Sequence, residues 1–117
     1  MKMPISEIAD RYSITLLKSE RIEGVNLTDE LNTYREELNK YDGIQDYITR
    51  LYQINGEIWD LESDIRKGKE NILGLEEVGR RAIMIRGKNK IRVGIKNEMV
   101  EKYEEGFKDI KMNHASV

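Results

Sequence analysis

Apolar side chains recur at helical spacing along most of this chain, and the clearest run lies between residues 44 and 65. In that run they repeat every seven positions in two interleaved series, as in a helix that packs against a partner helix. One series is Ile44, Leu51, Ile58 and Ile65, and the other is Tyr47, Ile54 and Leu61. The pattern predicts a long helix with one apolar side.

Weaker apolar runs predict helices before and after this one. The first run begins at Pro4 or Ser6 and stops at Gly24, which indicates a helix over about residues 4–23. The next run starts near residue 27 and keeps its phase through Tyr41, Asp42 and Gly43. Residues 27–67 are therefore expected as one bent helix or as two helices with a break at 42–43. After a charged, glycine-bearing turn, a last helix is expected over about residues 75–105.

Together these elements predict an all-α fold with three main helices, dominated by a long antiparallel helical hairpin. The chain has 117 residues, enough for one hydrophobic core and too few for two. We therefore expect a single helical domain over residues 1–107. Residues 108–117 show no apolar period and are expected to form a loose C-terminal tail.

The last helix carries apolar residues on two sides. Its core side is expected to be Leu75, Val78, Ala82, Ile85, Val93, Val100 and Tyr103. A second stripe consists of Ile83, Gly87, Ile91 and Gly94, with Met84 and Ile95 alongside. Because one hairpin and a short helix can cover only one side, the second stripe predicts an oligomeric bundle, most simply a homodimer. The competing interpretation is that the first helix covers this stripe.

Composition and charge exclude several classes of protein. There is no cysteine, so disulfides, thiolate metal sites and a cysteine nucleophile are excluded. A net charge of −2 gives no overall field that would attract nucleic acid or an anionic membrane. No apolar run approaches the ~18 residues that a membrane span needs. We expect a cytoplasmic protein that does not bind membranes.

Three carboxylates, Glu57, Asp60 and Asp64, share one face of the predicted helix over 44–65. At about 100° per residue that face points away from the apolar side, so the main interpretation is a solvated surface. The alternative is a magnesium site, because all-α nucleoside triphosphate pyrophosphohydrolases bind magnesium through acidic helical pairs. Glu7 and Asp10 of the first helix, or a second subunit, would then complete the set of ligands.

Residues 79–97 contain seven basic side chains and no acidic one. Only Arg81, Lys88 and Arg92 form a compact stripe, and these three are the candidate binding residues for a small anion. The other basic residues point elsewhere, which makes nucleic-acid binding the weakest interpretation. The main interpretation is charge pairing with the acidic residues of the preceding helix.

A third set of polar residues lies beside or inside the apolar stripes, where a polar group without a partner costs about 1–3 kcal/mol. This polar strip consists of Asn55, Trp59, Glu62, Arg66, Asn89, Arg92 and Lys96. The main interpretation is a network that sets the pairing of the helices. The alternative is a ligand pocket between helices.

Three segments carry a resemblance to a known family: ISEIADRYSITLLKSERI at 5–22, LYQINGEIWDLESDIRKG at 51–68 and GRRAIMIRGKNKIRVGIKNEM at 79–99. Together they resemble the blocks of a small helical family of unknown function found in bacteria and bacteriophages. The first block is matched in kind by Ser6, Asp10, Arg21 and Ile22. The middle block, Leu-Trp-Asp-x-Glu-x-x-Ile-Arg, is matched by Ile58, Trp59, Asp60, Glu62, Ile65 and Arg66. The last block, Asn-x-x-Arg-x-x-x-Lys-x-x-Ile, is matched by Asn89, Arg92 and Lys96, with Met99 at the final position.

That family has no assigned activity, so the resemblance implies a helical fold and a bacterial or phage origin and no chemistry. The functional expectation is accordingly a non-enzymatic assembly or accessory protein without a cofactor. The alternatives are a magnesium-dependent nucleotide phosphohydrolase of the all-α type and a binder of a small anion.

Overall fold

The computed structural model describes residues 3–66 and 74–103, with the backbone alone at Arg66. Within these ranges the chain forms four helices and no strand, which confirms the all-α class. They are α1 (Ile5–Arg21), α2 (Thr28–Leu38), α3 (Ile44–Arg66) and α4 (Leu75–Tyr103). The predicted ends of the last two helices beyond these bounds, and the predicted tail over 108–117, lie outside the described residues.

The structure has four helices where the apolar pattern predicted three, because the run over 27–67 is interrupted. After α2 ends at Leu38, backbone N–H groups of Lys40 and Tyr41 bond to carbonyl groups only three residues earlier. Gly43 then takes a φ of +75°, in the left-handed region that a helix of L-residues avoids. The break expected at 42–43 is present and extends back to residue 39, so a single bent helix is wrong.

Helix α1 lies at the centre of the molecule and contacts α2, α3 and α4. It is buried on most of its circumference, with Ile5, Ile8, Ala9 and Leu17 all almost fully enclosed. The core continues through Tyr34 and Leu38 of α2 and through Ile44, Ile48, Leu51, Ile54 and Ile58 of α3. The fold is therefore organised around its first helix. The predicted pairing of the two long helices is also present, since α3 and α4 make the most extensive contact between any two of the described helices.

Helices α3 and α4 run antiparallel, as three ion pairs between them show. Residues later in α3 pair with residues earlier in α4: Arg50 pairs with Glu98, Glu57 with Lys88 and Asp64 with Arg81. The face that α4 turns to the core overlaps the expected one in part. Val100 is buried, and Ile85 and Tyr103 pack against the core, as expected. Leu75 and Val93 are exposed instead, and Ile95 and Met99 are buried.

None of the helices in residues 3–66 and 74–103 combines the length and the apolar character needed to cross a membrane.

Candidate functional site

Among the described residues the most enclosed charged group is the carboxylate of Asp10, which is 1% exposed in the middle of α1. Arg92 of α4 binds it with two donors, Nε to Oδ1 at 3.0 Å and Nη2 to Oδ2 at 2.5 Å. Asn55 of α3 donates Nδ2 to the same Oδ1 at 2.9 Å. One carboxylate thus joins three helices through charge-assisted hydrogen bonds.

The surrounding side chains complete this arrangement. Asn55 Nδ2 also donates to Ser13 Oγ at 2.8 Å, and that hydroxyl donates to the carbonyl oxygen of Asp10 at 2.7 Å. Lys96 Nζ donates to Glu7 Oε2 at 2.9 Å and lies 3.7 Å from Asp10 Oδ2. We call Glu7, Asp10, Ser13, Asn55, Arg92 and Lys96 the Asp10 cluster.

The ionisation of Asp10 follows from these contacts. Burial by itself raises the pKa of this carboxyl, but hydrogen bonds from Arg92 and Asn55 and the positive charges of Arg92 and Lys96 outweigh that effect. The pKa therefore lies below its usual value, and the group is ionised at neutral pH. The hydrogen bond to Asp10 in turn raises the pKa of Arg92. The cluster is a compensated ion pair that fixes the relative positions of three helices.

A groove of about 270 Å³ opens next to the Asp10 cluster. Its apolar wall consists of Ile14, Leu17, Ile58 and Trp59, and its polar wall of Lys18, Asn55, Glu62, Asn89 and Arg92. The guanidinium carbon of Arg21 lies 5.8 Å from the centroid of the Trp59 ring, at cation–π range. The groove is slightly smaller than the ~300 Å³ at which ligand pockets usually begin.

The structure brings most of the predicted polar strip together at this groove. Asn55, Trp59, Glu62, Asn89 and Arg92 all line it. Lys96 lies apart, one helical turn beyond Arg92, where it pairs with Glu7. The side chain of Arg66 lies outside the described residues.

The carboxylates predicted for the solvated face are engaged in ion pairs. Glu57 accepts a hydrogen bond from Lys88 at 2.8 Å, Asp60 from Arg21 at 2.5 Å, and Asp64 from Arg81 at 2.6 Å. The bond from Lys88 holds the pKa of Glu57 below its usual value. Each carboxylate turns to a different cation, and the described ranges contain no group of three or more potential metal ligands.

The same contacts account for the candidate anion site. Arg81, Lys88 and Arg92 each bind a carboxylate of α1 or α3, namely Asp64, Glu57 and Asp10. Their positive charges are therefore compensated within the chain. A free anion would have to compete with a carboxylate that is already in place at each of the three positions.

The second stripe of α4 lies open. Ile83 and Ile91 are 63% and 54% exposed, and Met84 is also exposed. A Cβ built on Gly87 or Gly94 would meet no atom of the described residues within 4 Å. Helix α1 therefore does not cover these residues, and the competing interpretation of the stripe is wrong. Ile95, expected alongside it, belongs to the core.

Sequence reasoning missed the role of α1 in the polar network. It placed Glu7 and Asp10 in the alternative metal site, named Asp10 also in the family resemblance, and did not single out Ser13. The available signal was their spacing of three residues, Glu7, Asp10 and Ser13, among the apolar positions of α1. That spacing marks a polar line on a helix, but it does not say which other helix faces it.

The described part of the chain thus offers three candidate functional features: the Asp10 cluster, the groove beside Trp59 and the open stripe of α4. Comparisons with known proteins add no fourth, since no protein-family model, no curated protein and no solved structure matches the chain.

Proposed function

We propose that this protein is a non-enzymatic helical assembly module that works as a homodimer, with α4 of each copy forming the contact. The observation that carries the proposal is the open stripe of α4, where Ile83 and Ile91 are more than half exposed beside two glycines. A contiguous apolar stripe of this kind is unfavourable in water and typical of an interface.

The glycines support the same conclusion. A glycine inside a helix costs about 1 kcal/mol relative to alanine, so Gly87 and Gly94 destabilise α4 in the isolated chain. Neither position has a left-handed backbone, and none of the other helices in residues 3–66 and 74–103 approaches it closely enough to require a glycine. Close approach by the backbone of another molecule would account for both residues.

The ion pairs made by the candidate site residues also support an assembly role. The candidate metal ligands Glu57, Asp60 and Asp64 hold cations of neighbouring helices. The candidate anion-binding residues hold carboxylates. In both cases the side chains act in joining helices, which favours a scaffold over a phosphohydrolase or an anion-binding protein. The resemblance to the bacterial and bacteriophage family of unknown function stays a prediction.

The dimer is tested by light scattering coupled to size exclusion at micromolar concentration. The parent is expected to have about twice the 13.7 kDa mass of the chain. Ile91→Arg places a charge in the stripe and should give a folded monomer with unchanged helical circular dichroism. Val93→Arg is the matched control, because Val93 is also an exposed apolar residue of α4 but lies outside the stripe. A parent that remains a monomer would overturn the proposal.

The magnesium and anion alternatives are tested by a thermal-shift series with magnesium, manganese, inorganic phosphate and nucleoside triphosphates. A ligand at 100 times its dissociation constant adds about 2.7 kcal/mol to stability, which such a measurement detects easily. We expect no shift. A metal-dependent shift that disappears when Glu57, Asp60 and Asp64 become Gln, Asn and Asn would favour the metal site instead.

A further inference from the structure

We infer that α4 pairs with α4 of a second copy in the antiparallel direction, with a two-fold axis that crosses the helices at position 89. This inference rests on the proposed dimer and specifies its direction and register. The residues involved follow one exposed line on α4 with steps of four, three, four, three and four residues. We call this line the α4 seam; it consists of Arg80, Met84, Gly87, Ile91, Gly94 and Glu98.

The spacing of the α4 seam is that of the contact line between two helices that pack side by side. All six residues are exposed in the single chain. At about 100° per residue the seam lies on the side of α4 opposite the buried Val100, and Ile83 flanks it. The geometry is therefore that of a second packing surface on a helix whose other side is already in the core.

The residue types along the α4 seam complement one another when two copies of the seam run in opposite directions. A two-fold axis at position 89 sets Arg80 opposite the partner's Glu98 and Met84 opposite the partner's Gly94. It also sets Gly87 opposite the partner's Ile91. Each charge then meets the opposite charge, and each large apolar side chain meets a glycine.

A parallel arrangement has none of this complementarity. Arg80 would face another Arg80, Glu98 would face another Glu98, and the glycines would face each other across a gap. Like charges directly opposite disfavour a contact, and a gap forfeits van der Waals contact. One charged pair beyond the seam agrees with the antiparallel direction, since Glu76 and Lys102 are also symmetric about position 89.

The charged ends of the seam are available for a second partner. The side chain of Arg80 is 66% exposed although it pairs with Glu77, and that of Glu98 is 53% exposed although it pairs with Arg50. A carboxylate has about four lone-pair sites and a guanidinium has five donors. Contacts between copies can therefore add to the pairs within each chain.

The direction is tested by disulfide cross-linking, for which the chain offers a clean background because it contains no cysteine. Met84→Cys and Gly94→Cys both change exposed positions of the seam. When the two variants are mixed and oxidised, we expect a rapid disulfide between unlike copies. Each variant alone should give little, because like positions lie about ten residues apart along the antiparallel pair, on the order of 15 Å. Arg86→Cys, exposed but off the seam, is the control for random collision.

The charges are tested by reversing one of them. In the Arg80→Glu variant two carboxylates would lie opposite each other at both ends of the dimer, because position 80 faces the partner's Glu98. Their repulsion should weaken the dimer about tenfold at low salt and less at high salt. Arg86→Glu makes the same change of net charge at an exposed position off the seam, and it should leave the dissociation constant nearly unchanged.

The outcomes separate this inference from the proposed function. If the parent is a dimer but Met84→Cys or Gly94→Cys cross-links with itself, the antiparallel register is overturned while the assembly role survives. If the parent is a dimer and no seam cysteine cross-links faster than the Arg86→Cys control, another surface forms the contact and the inference fails. If the parent is a monomer, the inference fails together with the proposed function.

Discussion

At the scale of single residues, Asp10 shows how one carboxylate can be both fully buried and ionised. Arg92 and Asn55 supply the hydrogen bonds that water would otherwise give it. Removing one member of such a pair is costly, because the remaining charge stays desolvated. The consequence is a cluster whose contribution to stability depends on each member.

We expect Asp10→Asn to lower the free energy of unfolding by about 2–3 kcal/mol, since Arg92 keeps its burial but loses its counter-charge. Asp60→Asn is the matched control, because the Asp60 side chain is 69% exposed and also pairs with an arginine. Its cost should be under about 1 kcal/mol. Equilibrium urea unfolding measures both, and equal losses at the two sites would contradict the special role of Asp10.

The lowered pKa of Asp10 makes its contribution depend on pH in a defined direction. The unfolded chain has a pKa of about 3.9 at this carboxyl and the folded chain a lower one, so protons favour the unfolded state. The stabilisation is complete above about pH 5 and is lost as pH falls below about 4 toward the folded pKa. The difference in unfolding free energy between the parent and Asp10→Asn should therefore be constant from neutral pH to about 5 and shrink below that. A constant difference down to about pH 3 would show that the charge of Asp10 is not its source.

At the scale of elements, the residues between the helices decide where one helix ends and the next begins. Gly43 closes the break between α2 and α3 with a φ of +75°, and Gly24 ends the turn after α1 with a φ of +84°. The apolar phase passes through residues 41–43 without interruption, so it left open whether the helix breaks there. A pattern of side chains reports which face is apolar, whereas one left-handed residue decides whether a helix continues.

We expect Gly43→Ala to destabilise the protein by about 1–2 kcal/mol, because alanine is strained in the left-handed region. A Cβ there would also lie 2.9 Å from Lys102 Nζ, but that flexible side chain can move away at little cost. Gly79→Ala is the contrasting variant. Gly79 lies inside α4, and no described residue comes within 4 Å of the added carbon, so this change should stabilise the protein by up to about 1 kcal/mol. Thermal unfolding checks both, and a neutral Gly43→Ala would contradict the backbone argument.

The sequence predicted the helical class and the position of the long helix α3. It also predicted that Asn55, Trp59, Asn89 and Arg92 lie close together. These follow from local spacing, which one chain shows directly. It did not predict that α1 lies at the centre, because the contact between Asp10 and Arg92 joins residues 82 positions apart. Periodicity shows that a helix has a polar line or an apolar side, and it leaves open which helix will face it.

At the scale of the whole molecule, the dimensions explain why α4 keeps an open side. The molecule measures 46 × 39 × 21 Å, and 21 Å is about the thickness of two packed helices. In such a thin body an outer helix has a layer on one side only. Its other side meets water unless a second molecule covers it.

Self-association predicts that apparent stability depends on protein concentration. For a dimer that forms only from folded chains, the thermal midpoint should rise over a roughly hundredfold range of concentration. Ile91→Arg should show one midpoint across that range, while Val93→Arg should behave like the parent. Differential scanning at several concentrations measures this, and a parent midpoint independent of concentration would count against the dimer.

The central position of α1 has a consequence for how the protein is made. Arg92 is added to the growing chain 82 residues after Asp10. At about 5–20 residues per second, the first helix waits roughly 4–16 s for the guanidinium that neutralises its carboxylate. Until then the nascent chain holds a helix with apolar and acidic sides and no complete set of neighbours. A chain that stops at residue 90 should therefore lack cooperative unfolding, and completion of the core should depend on synthesis of the second half of α4.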